Sequence, residues 1–272
     1  MRPNIAKLGD GSSTLPLWVL APPYSGPGRP VHVCSSADRD TDVTPGGVLV
    51  VRSCDPALQW DQFVESVPRI RARHPAAPLV LQLPGDITPE AVHLARRAGR
   101  LRIRAVVVDG EPIEATLRRI LPRPENLADD VIEWLTLRGL RLNGKLAPLI
   151  RDIVHLAPRH ARICALLKAI HETSDSTRAL FARRRLPPPG EWLHAARALH
   201  AVLGLQADPE LSVSRLAHHF DHADHSALSR QVFRCFGDRP TVLRQWLGWE
   251  GLLNRWLQAK RVRFPPPVSG SP

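Results

Sequence analysis

Four histidines crowd into eight residues of this chain, His218, His219, His222 and His225, with Asp221 and Asp224 among them and Cys235 ten residues beyond the last. Imidazoles, thiolates and carboxylates are the groups that bind zinc or nickel, and a closed site needs three or four of them converging at about 2.0–2.3 Å. His218 and His222 stand four apart, which puts both on one face of a helix. His222 and His225, however, fall at a break in the helical pattern and at the start of the next helix. The simpler expectation is a set of solvent-exposed histidines. His218, His222 and His225 are the set that a metal-responsive protein would use; no resident metal or cofactor is expected. No G-x-S-x-G turn, glycine-rich phosphate loop, Cys–His pairing or paired carboxylates at a strand edge stand in recognisable context. Catalysis is therefore not expected.

The stretch that must position these residues runs from 211 to 247. Val213, Leu216, Ala217 and Phe220 fall at i, i+3, i+4 and i+7, one face of a short helix, and Ser212 precedes them where a hydroxyl can cap it. The pattern breaks over Asp221–Asp224. It resumes with Leu228, Val232 and Phe236, and Gly237 stands where a helix stops. Two short helices joined by a tight polar turn read as a helix-turn-helix, whose second helix can enter a DNA major groove.

The segment LAHHFDHADHSALSRQVFRCFGDRPTVLR resembles the second helix-turn-helix of the AraC/XylS family of bacterial transcription regulators. Leu216-Ala217, Asp224, Ser226, Leu228-Ser229-Arg230, Phe236-Gly237 and Pro240 carry the likeness. The family's turn glycine is Asp221 here, and the aromatic after it is His222; aspartate tolerates the left-handed conformation such a turn needs. Upstream, ICALLKAIHETSDSTRALFARRRLPPPGEWLHAARALH resembles the family's first helix-turn-helix and its long connecting helix. Ile163, Leu166, Leu167 and Ile170 make the first face, Thr173 or Ser174 is placed to cap the second helix, and Trp192, Ala195, Leu199 and Val202 form the connector's buried stripe. This copy is more worn: His171 takes the turn-glycine position, Glu172 replaces an apolar residue and Thr177 replaces a core leucine. The resemblance implies double-stranded DNA as partner, with RNA polymerase and a second copy of the chain as further candidates. The residues it sets toward DNA are Ser174, Ser176, Arg178, Arg183, Arg184 and Arg185 in the first copy. In the second they are His225, Ser226, Ala227, Ser229, Arg230 and Arg234.

Charge agrees with a polyanionic partner. The chain carries +11, and residues 159–263 hold 17 Lys and Arg against 9 Asp and Glu, an excess of eight. Compositional drift toward arginine is the competing explanation, since Pro and Ala are abundant and there is one Met. Cys34, Cys54, Cys164 and Cys235 show no C-x-x-C pair and read as reduced, partly buried thiols. No secretory signal pattern opens the chain and no apolar run reaches about 18 residues, so a cytoplasmic protein without membrane association is expected.

The sequence before the helical part has α/β texture. Residues 1–14 read as a loose tail, and β-rich runs follow at 15–20, 31–35, 47–53, 78–83 and 103–109. Helical patterns lie between and after the later runs: Trp60, Phe63, Val64, Val67 and Ile70; Ala91, Val92, Leu94 and Ala95; Ile113, Leu117, Ile120 and Leu121. This predicts a parallel sheet covered on both faces over 15–122, weakly similar to a response-regulator receiver domain. The receiver chemistry is missing. The first strand runs into Ala21-Pro22-Pro23, the third ends in Arg52-Ser53, and Glu111-Pro112 stands near where Lys-Pro belongs. Asp55, Asp86 and Asp109 follow strands but lack the clustered carboxylates that hold Mg²⁺, so phosphorylation is not expected. Pro122-Arg123-Pro124 opens a helical linker over 123–158, with Val131, Ile132, Leu135, Leu149, Ile150 and Ile153 as its core. The double helix-turn-helix then occupies 159–258, where Trp246, Trp249, Leu252, Leu253, Trp256 and Leu257 read as one apolar helical stripe. A disordered tail is expected at 259–272. Two alternatives to a regulator stand beside this: a protein-interaction adaptor with a vestigial helix-turn-helix, and the metal-responsive reading above.

Overall fold

In a computed structural model of the protein, the structure describes residues 17–20, 33–34, 46–52, 64, 67–68, 70–71, 73–86, 88–101, 103–110 and 112–265. The N-terminal tail, residues 21–23, Ser53, Cys54, Asp55, Trp60, Phe63, Glu111 and the tail from 266 onward lie outside these residues.

Five strands form one sheet in the order β2-β1-β3-β4-β5, with β1 at Leu17–Leu20, β2 at Val33–Cys34, β3 at Val48–Arg52, β4 at Leu79–Leu83 and β5 at Ala105–Val108. β3, β4 and β5 run parallel, as the helix-length connections between them require. β1 does not. It pairs antiparallel with β3 and with β2, so the sheet is mixed rather than wholly parallel. Apolar alternation assigns residues to faces but says nothing about strand direction, and direction is where the expectation failed.

The period of two sorts the central strands cleanly. Leu49, Val51, Leu79, Leu81 and Leu83 face one side, where they meet Val67 and helix α1 (Pro89–Ala98) through Ala91, Leu94 and Ala98. Val48, Val50, Val80, Ala105 and Val107 face the other, against helix α2 (Ile113–Ile120), Leu117 and Leu121. Val64 and Val92, expected on core faces, are exposed. A third contributor to the second face comes from far along the chain. Leu247 is buried among these valines, and truncating it to alanine would cost about 2–5 kcal/mol.

The remainder is helical. α3 (Leu127–Leu137) and α4 (Leu146–Leu156) share one core with everything that follows: Val131, Leu135, Leu149, Ile150 and Ile153 are buried there, with Ile132 packed against them. Next come α5 (Ile163–Ala169), α6 (Ser174–Arg183), the long α7 (Pro189–Ala207), α8 (Val213–His219), α9 (His225–Phe236), α10 (Pro240–Leu243) and α11 (Glu250–Ala259). The tryptophan stripe is not one helix. Trp246 and Trp249 sit in the connection before α11, where Gly248 adopts φ +80°, and both are buried. Trp246 lies so close over Gly46 that a β-carbon there would fall 2.5 Å from its ring. Trp249 meets Trp134 edge-on at 6.0 Å, and Trp256 meets Trp192 at 4.8 Å. Residues 260–265, expected as the start of a loose tail, are docked: Val262 is buried, and Phe264 packs on Trp134 beneath the Arg138 guanidinium.

Polar ties join the sheet to the helices. Arg104, just before β5, pairs with Asp130 of α3 and with Glu250 of α11. Burial alone would lower its pKa, but the charges of Glu250 and Asp130 outweigh that and the net shift is upward. Trp134 Nε1 donates to the Pro75 carbonyl at 2.7 Å.

Candidate nucleic-acid interface

Helices α8 and α9 form a pair whose ends are locally specified. Ser212 caps α8, its hydroxyl accepting from the Arg215 N–H at 3.1 Å. After Phe220 the chain turns at Asp221, which adopts φ 51°. The Asp221 N–H reaches back to the His218 carbonyl at 3.2 Å and the His222 N–H to that of Ala217 at 2.9 Å. These are the two bonds of a Schellman turn, which normally recruits glycine. Asp224 then caps α9, accepting from the Ala227 N–H at 2.7 Å. That bond is the first cause holding the Asp224 carboxyl below the usual range. Leu228, Gln231, Val232, Cys235 and Phe236 face inward, and Gly237 closes the helix at φ 75°.

Fifty residues earlier the same turn recurs. His171 adopts φ 57°; its N–H bonds the Lys168 carbonyl at 3.3 Å, and the Glu172 N–H bonds that of Leu167 at 2.9 Å. Both positions at which the sequence puts an unexpected residue for a turn glycine are thus left-handed. α6 differs from α9 in its start. Thr173 occupies the cap position yet caps no backbone N–H; its hydroxyl bonds that of Ser176 at 2.7 Å instead. Thr177 is buried with no partner for its hydroxyl, one turn before the buried Phe181.

α7 separates and joins the pairs. Trp192, Ala195, Leu199 and Val202 are buried along it. Its 19 residues span about 28 Å at 1.5 Å per residue. A β-carbon at Gly190 would lie 3.7 Å from Ile163 of the first pair, and one at Gly204 would lie 3.4 Å from Leu216 of the second. Those two positions are 14 residues apart, roughly 21 Å along the axis. Midway sits Arg197, 2% exposed, donating to the carbonyls of Ala157 at 3.2 Å and His160 at 2.8 Å before the first pair, and to Phe220 in the turn of the second. Burial lowers its pKa, with Asp221 opposing. Burial and the Arg197 charge in turn hold the His222 imidazole below its ordinary range.

Compared with family models, with curated proteins and with solved structures, the chain matches none.

Of the residues proposed to face DNA, Arg178, Ser176, Arg183, Arg184 and Arg185 are exposed on or just after α6, with Ser174 half-buried at its start. Arg185 takes φ 54° in another turn of the same kind, which also closes helices at Gly139 and Arg261. On α9, His225, Arg230 and Arg234 are exposed and Ser226, Ala227 and Ser229 half-buried. Ser229, Arg230 and Arg234 meet in one open groove of about 730 Å³, lined also by Val213, Phe233 and Arg239. The α6 residues belong to the other pair and line no part of it. Phe233 and Arg239 escaped the sequence reading. On a helical wheel Phe233 falls about 100° from the centre of the Leu228, Val232 and Phe236 stripe, off the apolar face, and that was the available signal.

The rival sites do not assemble. Among the described residues no three of His, Cys, Asp and Glu are gathered to hold a metal ion, His218, His222 and His225 included. Asp109, at the strand edge, has its carboxylate taken by Arg52 and by Gln82 Nε2 at 3.1 Å. Cys164 is exposed, against the expectation of a partly buried thiol; Cys235 is buried, which pushes its thiol up to about 11. No helix among the described residues is long and apolar enough to cross a membrane.

Proposed function

We propose that this chain is a sequence-specific DNA-binding transcription regulator of the AraC/XylS type, with two helix-turn-helix units in one molecule. The observation that carries the reading is the duplication. Two helix pairs have the same left-handed turn fifty residues apart, are hung on one buried helix, and each turns a row of arginines and small polar residues outward. Helices of this length with an apolar inner face and a cationic outer face suit a major groove, where arginine forks meet guanine edges or phosphates. The excess of eight positive charges over residues 159–263 supplies the long-range attraction.

Recognition needs no catalytic step. The second pair supplies most base contacts through His225, Ser226, Ala227, Ser229, Arg230 and Arg234, and the first mainly phosphate contacts through Arg178, Arg183, Arg184 and Arg185. The N-terminal α/β unit serves as a sensory or dimerising platform and works without phosphorylation. The test is affinity for a duplex selected by the purified full chain. Arg230→Ala should weaken binding by about 1–3 kcal/mol, at one base position if it reads a base and evenly across sequences if it holds a phosphate. Unchanged affinity in a folded variant would contradict the assignment.

A further inference from the structure

Helix α9 inverts its polarity at two nearby positions. Gln231 is 6% exposed and donates from Nε2 to the His194 carbonyl at 2.8 Å, whereas Phe233 is 55% exposed. The inner face is complete without the phenyl ring, because Leu228, Val232, Cys235 and Phe236 fill it. Phe233 stands three residues after Arg230 and seven after Ser226, so it extends the outward stripe those residues begin. It is not a solitary surface apolar group either. It lines the open groove with Val213, Pro240 and three arginines, Arg230, Arg234 and Arg239, and Val242 nearby in sequence is 47% exposed.

An apolar ring flanked by guanidinium groups fits one feature of duplex DNA. The C5-methyl of thymine is the apolar group that a base pair offers in the major groove, and phosphates flank it on both strands. A cytosine amine or guanine oxygen against the ring would lose a water partner and gain no bond in return. We infer that Phe233 is a specificity-determining residue that reads thymine through its C5-methyl group, while the flanking Arg230, Arg234 and Arg239 meet the neighbouring base edges and phosphates. The inference rests on the DNA-binding function proposed above and adds the base that this part of the helix selects.

The experiment uses the full chain and a duplex recovered from a random pool. Each thymine is replaced in turn by deoxyuridine, which deletes the methyl and leaves the hydrogen-bonding edge unchanged. The wild-type protein should lose about fourfold in affinity at one or two thymines, the worth of one buried methyl group. Phe233→Ala should bind the thymine duplex more weakly and lose nothing further on deoxyuridine substitution; Phe233→Leu should keep part of the discrimination. Equal binding of thymine and deoxyuridine duplexes by the wild type overturns the inference while leaving DNA recognition standing. So does a recovered site without thymine, or undiminished discrimination in Phe233→Ala. An absence of sequence-dependent binding by the wild type overturns both.

Discussion

The two helix pairs share a turn and differ in how their helices begin. In the second, Ser212 and Asp224 each satisfy a backbone N–H at a helix start, and a leucine fills the inner face one turn on. In the first, α5 and α6 both start without a capping side chain, and a threonine hydroxyl is buried where that leucine would be. Helices of seven and ten residues are marginal in water on their own. The first pair therefore depends on tertiary packing against α7 for what the second also specifies locally. A reading surface needs its side chains held to within fractions of an ångström, and the capped pair is the better prepared for that. The worn pair can still serve where charge matters more than position.

Among changes that bear on this contrast, the largest effect is expected from Arg197, which ties the segment just before the first pair to the turn of the second. Arg197→Met removes donors from three backbone carbonyls and should lower unfolding stability in urea by about 2–3 kcal/mol. An unchanged midpoint would mean that the pairs are not coupled through this residue. A change in the opposite direction is expected at Thr177. Thr177→Val keeps the shape and deletes the unpartnered hydroxyl, so it should stabilise by about 1 kcal/mol and bring the first pair closer to the second. Loss of stability there would show that the hydroxyl does find a partner.

The smallest effect concerns the caps. Asp224→Ala should lower the melting temperature at neutral pH, whereas Thr173→Ala should leave it unchanged, since Thr173 caps no N–H. The sign with pH follows from the lowered carboxyl of Asp224: its contribution is present above the ordinary carboxylate pKa and is lost as pH falls through the folded one. Melting curves of the wild type and Asp224→Ala should therefore converge in acid. Equal sensitivity of the two cap positions at pH 7 would erase the contrast.

The sequence disclosed these elements unevenly, for physical reasons. The five strand runs and the Ser212 cap were legible because each is a local matter of periodicity or helix-end chemistry, whereas the turn positions Asp221 and His171 and the place of Asp224 came through the family resemblance. The antiparallel entry of β1 was not, since a four-residue apolar run reads alike in either direction. Arg197 and Gln231 were missed because burial of a polar group is decided by carbonyls distant in sequence. Leu247 likewise belongs by position to the C-terminal helices and by packing to the sheet. Phe233 could have been found, had its outward phase been weighed above its apolar character.

The central claim is that the two pairs engage DNA together and divide the work. The most direct measurement is the salt dependence of duplex binding by the full chain and by a variant with Arg178, Arg183, Arg184 and Arg185 all changed to glutamine. The expected result is a slope of log affinity against log salt reduced by up to about four units, near 0.9 for each phosphate that is no longer neutralised, with the preferred sequence unchanged. A variant that keeps the slope but loses half of its recognition site would show that the first pair reads bases, and would contradict the division of roles drawn here.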